Sequence, residues 1–136
     1  MRIWNEYVTI QTKNKREIVD LTPRVSQAIT KAEIMEGIVL VSSMHNNAGV
    51  FVGQEDEPLH RDLLEWLEGL APEREGYQFT KGESNAGAYL KNLLTGQQVA
   101  LSVENGKPVL GPWQKVFFAE FDGGRPKRVL VKVLGE

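Results

Sequence analysis

Apolar and polar positions alternate with period two at both ends of the chain and recur at helical spacing in three segments between them. Near the N-terminus, Trp4, Glu6, Val8, Ile10 and Thr12 share one face of an alternating pattern that Glu6 interrupts. Tyr7, Val8, Thr9 and Ile10 favour β structure by side-chain type. After a "KNK" turn, "EIVDLT" reads as a short second strand. In "LTPRVSQAITKAEIMEG", Thr22 can cap a helix and Pro23 suits the first helical position. Val25, Ala28, Ile29 and Ala32 form an apolar stripe, and Gly37 ends it. "IVLVSS" and "GVFVG" are continuous apolar runs suited to strands buried on both faces. "EPLHRDLLEWLEGLAP" places Leu59, Leu63, Trp66, Leu67 and Leu70 on one helical face, with Pro72 as stop. "SNAGAYLKNLLTG" predicts a third helix, capped by Ser84 or Asn85, with Leu90, Leu93 and Leu94 inward. "QVALSVE", "VFFAEFD" and "KRVLVKVLGE" then read as strands, and the "NG" and "GG" turns between them are hairpin signals. The expected fold is α+β, a mostly antiparallel sheet with three helices at about Pro23–Met35, Pro58–Leu70 and Asn85–Leu94.

Composition narrows the function classes. The 136 residues suit one domain, residues 1–136, with no repeat, low-complexity segment or linker. A formal net charge of −2 argues against nucleic-acid binding driven by bulk charge. The absence of cysteine removes disulfides, thiolate catalysis and cysteine zinc sites together. No apolar run approaches the roughly 20 residues needed to span a bilayer, so no membrane contact is expected. "MRIWNEYVTIQT" lacks the apolar core of a signal peptide, and the cytoplasm is the default expectation.

Common catalytic templates fail: there is no GxGxxG, P-loop, HExxH or GxSxG. His45 stands at a strand break in "MHNNAGVFVGQED". His60, beside Arg61 and Asp62, is expected on a solvated helix face. Glu55, Asp56 and Glu57 could hold a hard cation such as Mg²⁺ or favour the N-terminus of the following helix. The small residues of "KGESNAGAYLKN" could present helix N–H groups to an anion, with Lys81 and Lys91 nearby, or form a capped helix with solvated lysines. Trp113 is an aromatic wall for a ring-shaped ligand or a core residue, and Gln114 is an amide donor and acceptor. Glu120, inside an apolar strand, either points to solvent or is buried and paired; solvent is the expectation.

The run "GKPVLGPWQKVFFAEFDGGRPKRVLVKVLGE" resembles the C-terminal signature of the YjbQ-like family, whose members are assigned secondary thiamine-phosphate synthase activity. "SSMHNNAGVFVGQEDEP", "RDLLEWLEGLAP" and "ESNAGAYLKNLLTG" resemble, in order, the family's histidine segment, central helix and third helix. The resemblance implies an α+β fold, a homotrimer and a polar site of three histidines that binds a metal. His45 matches the first histidine. Phe79 and Tyr89 stand where the second and third usually lie, Gly87 replaces an aspartate, and Asn46 and Asn47 replace a Thr/Ser pair.

A single imidazole binds divalent metal poorly. The expected pocket therefore groups His45, the candidate catalytic residue, with ligand-binding Asn46, Phe79, Asn85, Tyr89, Lys91, Trp113 and Gln114. No tightly bound metal or other cofactor is expected, and Mg²⁺ only if the protein is enzymatically active. The resemblance implies a weak thiamine-phosphate synthase, with Lys81, Lys91, Arg125 and the helix start at Asn85 as phosphate anchors. The alternatives are a non-catalytic trimer binding a small phosphorylated or anionic ligand, and a purely structural protein.

Overall fold

The computed structural model describes residues 1–79 and 85–136. In chain order the elements are β1 (Arg2–Ile10), β2 (Glu17–Asp20), α1 (Thr22–Ala32), β3 (Gly37–Ser43) and β4 (Ala48–Gln54). They continue with α2 (Glu57–Leu70), α3 (Ala86–Thr95), β5 (Gln98–Glu104), β6 (Lys107–Pro108), β7 (Gln114–Glu120) and β8 (Lys127–Gly135). The class is α+β with three helices, as expected, but the strands form two sheets. One has the order β1-β8-β3-β5-β6 and the other β2-β7-β4, and every pairing within them is antiparallel.

The main core lies between the sheets and α1. The large sheet contributes Val8, Val39, Val41, Val103, Val129, Val131 and Val133, the small sheet Ala48, Val50, Val116 and Phe118, and the helix Val25, Ala28 and Ile29. A second cluster covers the opposite face of the small sheet. There Ala119 and Phe121 meet Leu67 of α2 and Ala88 of α3, with Phe51, Leu63 and Leu64 packed against them. Strand β4 is accordingly covered on both faces, whereas β3 buries Val39 and Val41 and leaves Ile38 exposed. Among the described residues, no helix covers the outer face of the large sheet, so the expectation of two-sided burial fails for β3.

Local chemistry explains the other departures. Thr22 is the first helical residue and not the cap. Its backbone N–H donates to Asp20, and its hydroxyl accepts from Val116 N–H at 2.9 Å, tying α1 to β7. The helix ends before Gly37, at Glu33 with φ 56°, where the Arg2 guanidinium donates to the Glu33 carbonyl. "NG" does form the β5–β6 hairpin, with positive φ at both Asn105 and Gly106, the backbone a type I′ turn requires. "GG" does not form a hairpin: β7 belongs to the small sheet and β8 to the large one.

The face that the leucines suggest is only partly used in α2 and not used in α3. In α2, Leu59, Trp66 and Leu70 are exposed, while Leu67 is buried and Leu63 and Leu64 half-buried. In α3, Leu90, Leu93 and Leu94 are exposed, and the buried side is Ala86, Gly87, Ala88, Lys91 and Asn92. The reason is close approach. A Cβ on Gly87 would lie 2.9 Å from the carbonyl oxygens of Ala71 and Pro72, so only the small-residue face can reach the end of α2. Lys91 then donates to Ala71 O at 2.7 Å and pairs with Glu68 at 3.0 Å. Burial pushes the Glu68 carboxyl up, but bonds from Lys91 and Glu73 N–H, with the Lys91 and Arg16 charges, hold it below its ordinary value.

Candidate functional site

Of the chain's crossings between the two sheets, two that meet at one corner bear on the site. The first crossing, from β3 to β4, carries Met44, His45, Asn46 and Asn47; the second, from β7 to β8, carries residues 121–126. The crossings bind each other: Phe121 N–H donates to Asn47 O at 3.2 Å, and the Asn47 amide lies 3.5 Å from Asp122 Oδ2.

The first crossing is fixed from below. Gln97 Nε2 donates to the carbonyls of Ser43 and His45, each at 2.9 Å, and Asn92 Nδ2 donates to Asn46 O at 3.0 Å. The Ser43 hydroxyl accepts from His45 N–H and lies 2.5 Å from Ala48 O. A loop held at this many backbone positions presents His45 from a rigid frame.

Beneath the second crossing lies a buried ion pair. Glu120 is fully buried and Lys127 nearly so, and they form a direct short contact. The solvent-facing expectation for Glu120 is therefore wrong. On β7, Val116, Phe118 and Glu120 alternate onto the core face; on β8, Lys127, Val129, Val131 and Val133 do the same. Each charge is the last member of an inward row, and the corner brings the two row ends together. Lys127 also donates to Asp122 O at 2.9 Å, and Glu120 accepts from Asp122 N–H at 3.2 Å. Arg125 pairs with Asp122 at 3.2 Å.

Above this network opens a pocket of about 340 Å³, lined by Met44, His45, Asn46, Asn47, Tyr89, Arg125, Pro126 and Lys127. Neither Glu120 nor Asp122 lines it, whereas Arg125 and Lys127 do. His45 is held below its ordinary value of 6.5, first by burial and then by the Lys127 charge. Glu120 pulls the other way and Arg128 adds to the lowering. The imidazole is therefore neutral at neutral pH, with one ring nitrogen available as an acceptor.

A family model, described as UPF0047 protein YjbQ-like, matches residues 6–136. The chain belongs to the YjbQ-like family. A UPF0047 protein of Archaeoglobus fulgidus is 39% identical over 127 residues, covering 93% of this chain and 98% of that one. One of Methanocaldococcus jannaschii is 35% identical over 128 residues, covering 93% and 91%. The crystal structure of a YjbQ-like protein of unknown function from Sulfolobus solfataricus superposes with a TM-score of 0.94 at 28% identity, covering 99% of each chain. A YjbQ/UPF0047 protein of Clostridium acetobutylicum gives 0.89 at 32% identity, covering 95% of this chain and 99% of that one.

Of the site positions that the resemblance implies, His45, Asn46 and Tyr89 line the pocket, and Phe79 meets Tyr89 edge-on with ring centroids 4.8 Å apart. Asn85 does not line it. Its side chain caps α3 by accepting from Ala88 N–H and lies 3.5 Å from Phe121 O. Lys91 is committed to Ala71 and Glu68, as above. Trp113 is 74% exposed and belongs to neither core nor pocket; Gln114 accepts from Gly111 N–H and closes its own turn. Arg125 lines the pocket, while Lys81 and Ser84 lie outside the described residues.

The acidic run is absorbed locally: Asp56 caps α2, Glu57 pairs with Arg61, and Glu55 pairs with Lys115. His60 is only half-buried, so the solvated expectation holds in part. Its Nε2 lies 2.8 Å from Gln54 O and its ring packs edge-on against Phe117.

The three-imidazole metal site that the resemblance implies does not fit these residues. Phe79 has no lone pair to give, the Tyr89 phenol binds metal well only as a phenolate, and Glu120 is taken by Lys127. Among the described residues, no three His, Asp or Glu side chains gather closely enough to hold an ion. Lys127, Asp122 and the identity of the Glu120 partner were what sequence reasoning missed, and Asn47 was noted only as part of a replaced Thr/Ser pair. The signal was present, since period two places Lys127 in register with three core valines. Among the described residues, no helix is long and apolar enough to cross a membrane.

Proposed function

We propose that the corner pocket binds a small anion, and that this chain uses it as a phosphate- or sulfate-recognising site without a tightly held metal. One observation carries the reading: Lys127, His45, Asn46 and Asn47 line the cavity, while Glu120 and Asp122, the neutralising carboxylates, are not among its lining residues. An ammonium has three donors, and Glu120 and Asp122 O take two of those on Lys127, which leaves one for a ligand. Its Coulombic attraction acts in a partly desolvated site, where it exceeds its value in bulk water.

The pH dependence follows from His45. Its depressed value means that acidification below 6.5 adds a positive charge to the pocket. A bound anion favours that protonated form, so affinity for a fully ionised anion rises as pH falls. Calorimetric titration with sodium sulfate at constant ionic strength should show affinity increasing several-fold from about pH 8 to about pH 5. His45→Gln should flatten the profile. Affinity that falls with acidification would count against the proposal.

The metal-free part of the reading has its own test. Elemental analysis of protein prepared without chelator should find less than one transition metal per chain, and Phe79→His/Tyr89→His should raise that content. A full equivalent of zinc in the wild type would defeat it. The same pocket could seat the phosphate of a thiamine-phosphate synthase substrate, and an assay with the two thiamine precursors separates binding from turnover.

The homotrimer remains our expectation, supported by the uncovered face of the large sheet. Ile3, Leu134 and Ile38 are direct cross-strand neighbours there, and Ile3, Tyr7 and Ile38 are each about half exposed or more. Light scattering at the mass of one chain would refute it.

A further inference from the structure

Resting on the anion-binding reading above, we infer that the ligand is an organic anion whose flat apolar body lies across Tyr89 in a second, adjoining cleft. This cleft has a volume of about 330 Å³ and an almost wholly apolar lining, with Phe79, Tyr89, Leu90 and Leu93 among its walls. Tyr89 lines both cavities, so an anion beside His45 and an apolar group beside Leu90 share that one residue as a wall. The volume suits one or two fused rings and is far below what a protein helix would need.

One polar group of the walls, the Tyr77 hydroxyl, is engaged by the backbone. The Tyr77 hydroxyl donates to Pro72 O at 2.6 Å, and the Phe79 ring meets Tyr89 edge-on, which leaves aromatic surface for a ligand ring. The leucines explain why the cleft exists. The backbone approach at Gly87 commits α3 to its small-residue face and leaves Leu90 at 39% and Leu93 at 79% exposure, beside Phe79 at 43%. Apolar surface that shares Tyr89 with a cation-lined pocket matches a molecule with one charged end and one apolar end. Neither cavity alone accounts for the other.

The test compares inorganic phosphate with phenyl phosphate and 1-naphthyl phosphate by calorimetry at about pH 8, where the phosphates carry similar charge. Wild type should bind the aryl phosphates at least tenfold more tightly than inorganic phosphate, because ring burial adds to an unchanged anion contact. Leu90→Ser/Leu93→Ser adds no charge and lies outside the anion pocket. It should remove most of that advantage while inorganic phosphate binds within about twofold of wild type. Inorganic phosphate binding with no aryl gain overturns the apolar arm alone. An aryl gain that survives the double substitution also overturns it, since the ring must then lie elsewhere. Failure of all three probes to bind overturns both this inference and the anion reading beneath it.

Discussion

Lys127→Ala is expected to cost about 3–5 kcal/mol of folding stability, because it strands the Glu120 carboxylate inside the protein. Glu120 is fully buried, and its other contacts are the Thr12 hydroxyl at 3.4 Å and the Asp122 N–H at 3.2 Å, neither of which carries charge. The large effect belongs to breaking the pair and not to the pair's net worth, since two buried charges also bear a heavy desolvation cost. Lys127→Met/Glu120→Gln should therefore lose much less than Lys127→Ala, because it removes both charges and keeps most of the volume. Urea denaturation of the three proteins reads this directly. A single-variant loss below about 1 kcal/mol would mean that water or a neighbour reaches Glu120 and that the corner is looser than its contacts imply.

Phe121→Ala is expected to cost a similar amount, about 3–5 kcal/mol, through a cavity between α2, α3 and the small sheet. Its ring is fully buried among Leu67, Ala88 and Ala119. The same residue's backbone accepts from Asn85 and donates to Asn47, so its placement registers the α3 cap against the His45 crossing. Tyr89 stands on α3 and forms part of both cavities. Loss of the ring should therefore weaken sulfate binding as well as folding. Phe121→Leu, which keeps most of the volume, should cost under about 2 kcal/mol. If alanine and leucine prove equally mild in denaturant, the α3 wall is not held by this cluster.

Much of the fold was legible in residue patterns, and the errors have definite causes. Alternation identified the long strands because each buries one face. Pro23 and Pro58 fell within the first two positions of their helices, where a missing N–H costs nothing. The α3 face was misread because periodicity ranks leucine above glycine and alanine. Contact here is decided by how closely two backbones can approach, which favours Gly87 and Ala88. "GG" was misread because a hairpin turn and a sheet-to-sheet crossing use the same residues, and only the pairing partners of β7 and β8 distinguish them.

The site was legible where the family resemblance supplied positions, at His45, Asn46 and Tyr89. It was hidden where a charge joined an apolar row, at Glu120 and Lys127. Each looked costly by itself, and together they neutralise each other across 7 residues of sequence and two sheets. Lys91 was legible as a charged residue on α3, but not as one drawn inward by the unpaired carbonyl of Ala71.

The account's central claim is that an anion sits against His45 and Lys127, and the His45 ring can report it. The chain has two histidines, so its NMR spectrum contains two imidazole Hε1 signals, and His60→Gln assigns them. In a buffer without binding anions, the His45 signal should titrate with a midpoint below 6.5, the direction set by burial and the Lys127 charge. Saturating sulfate should move that midpoint upward, because the bound anion stabilises the protonated ring. A His45 midpoint that sulfate leaves in place, at constant ionic strength, would contradict the claim.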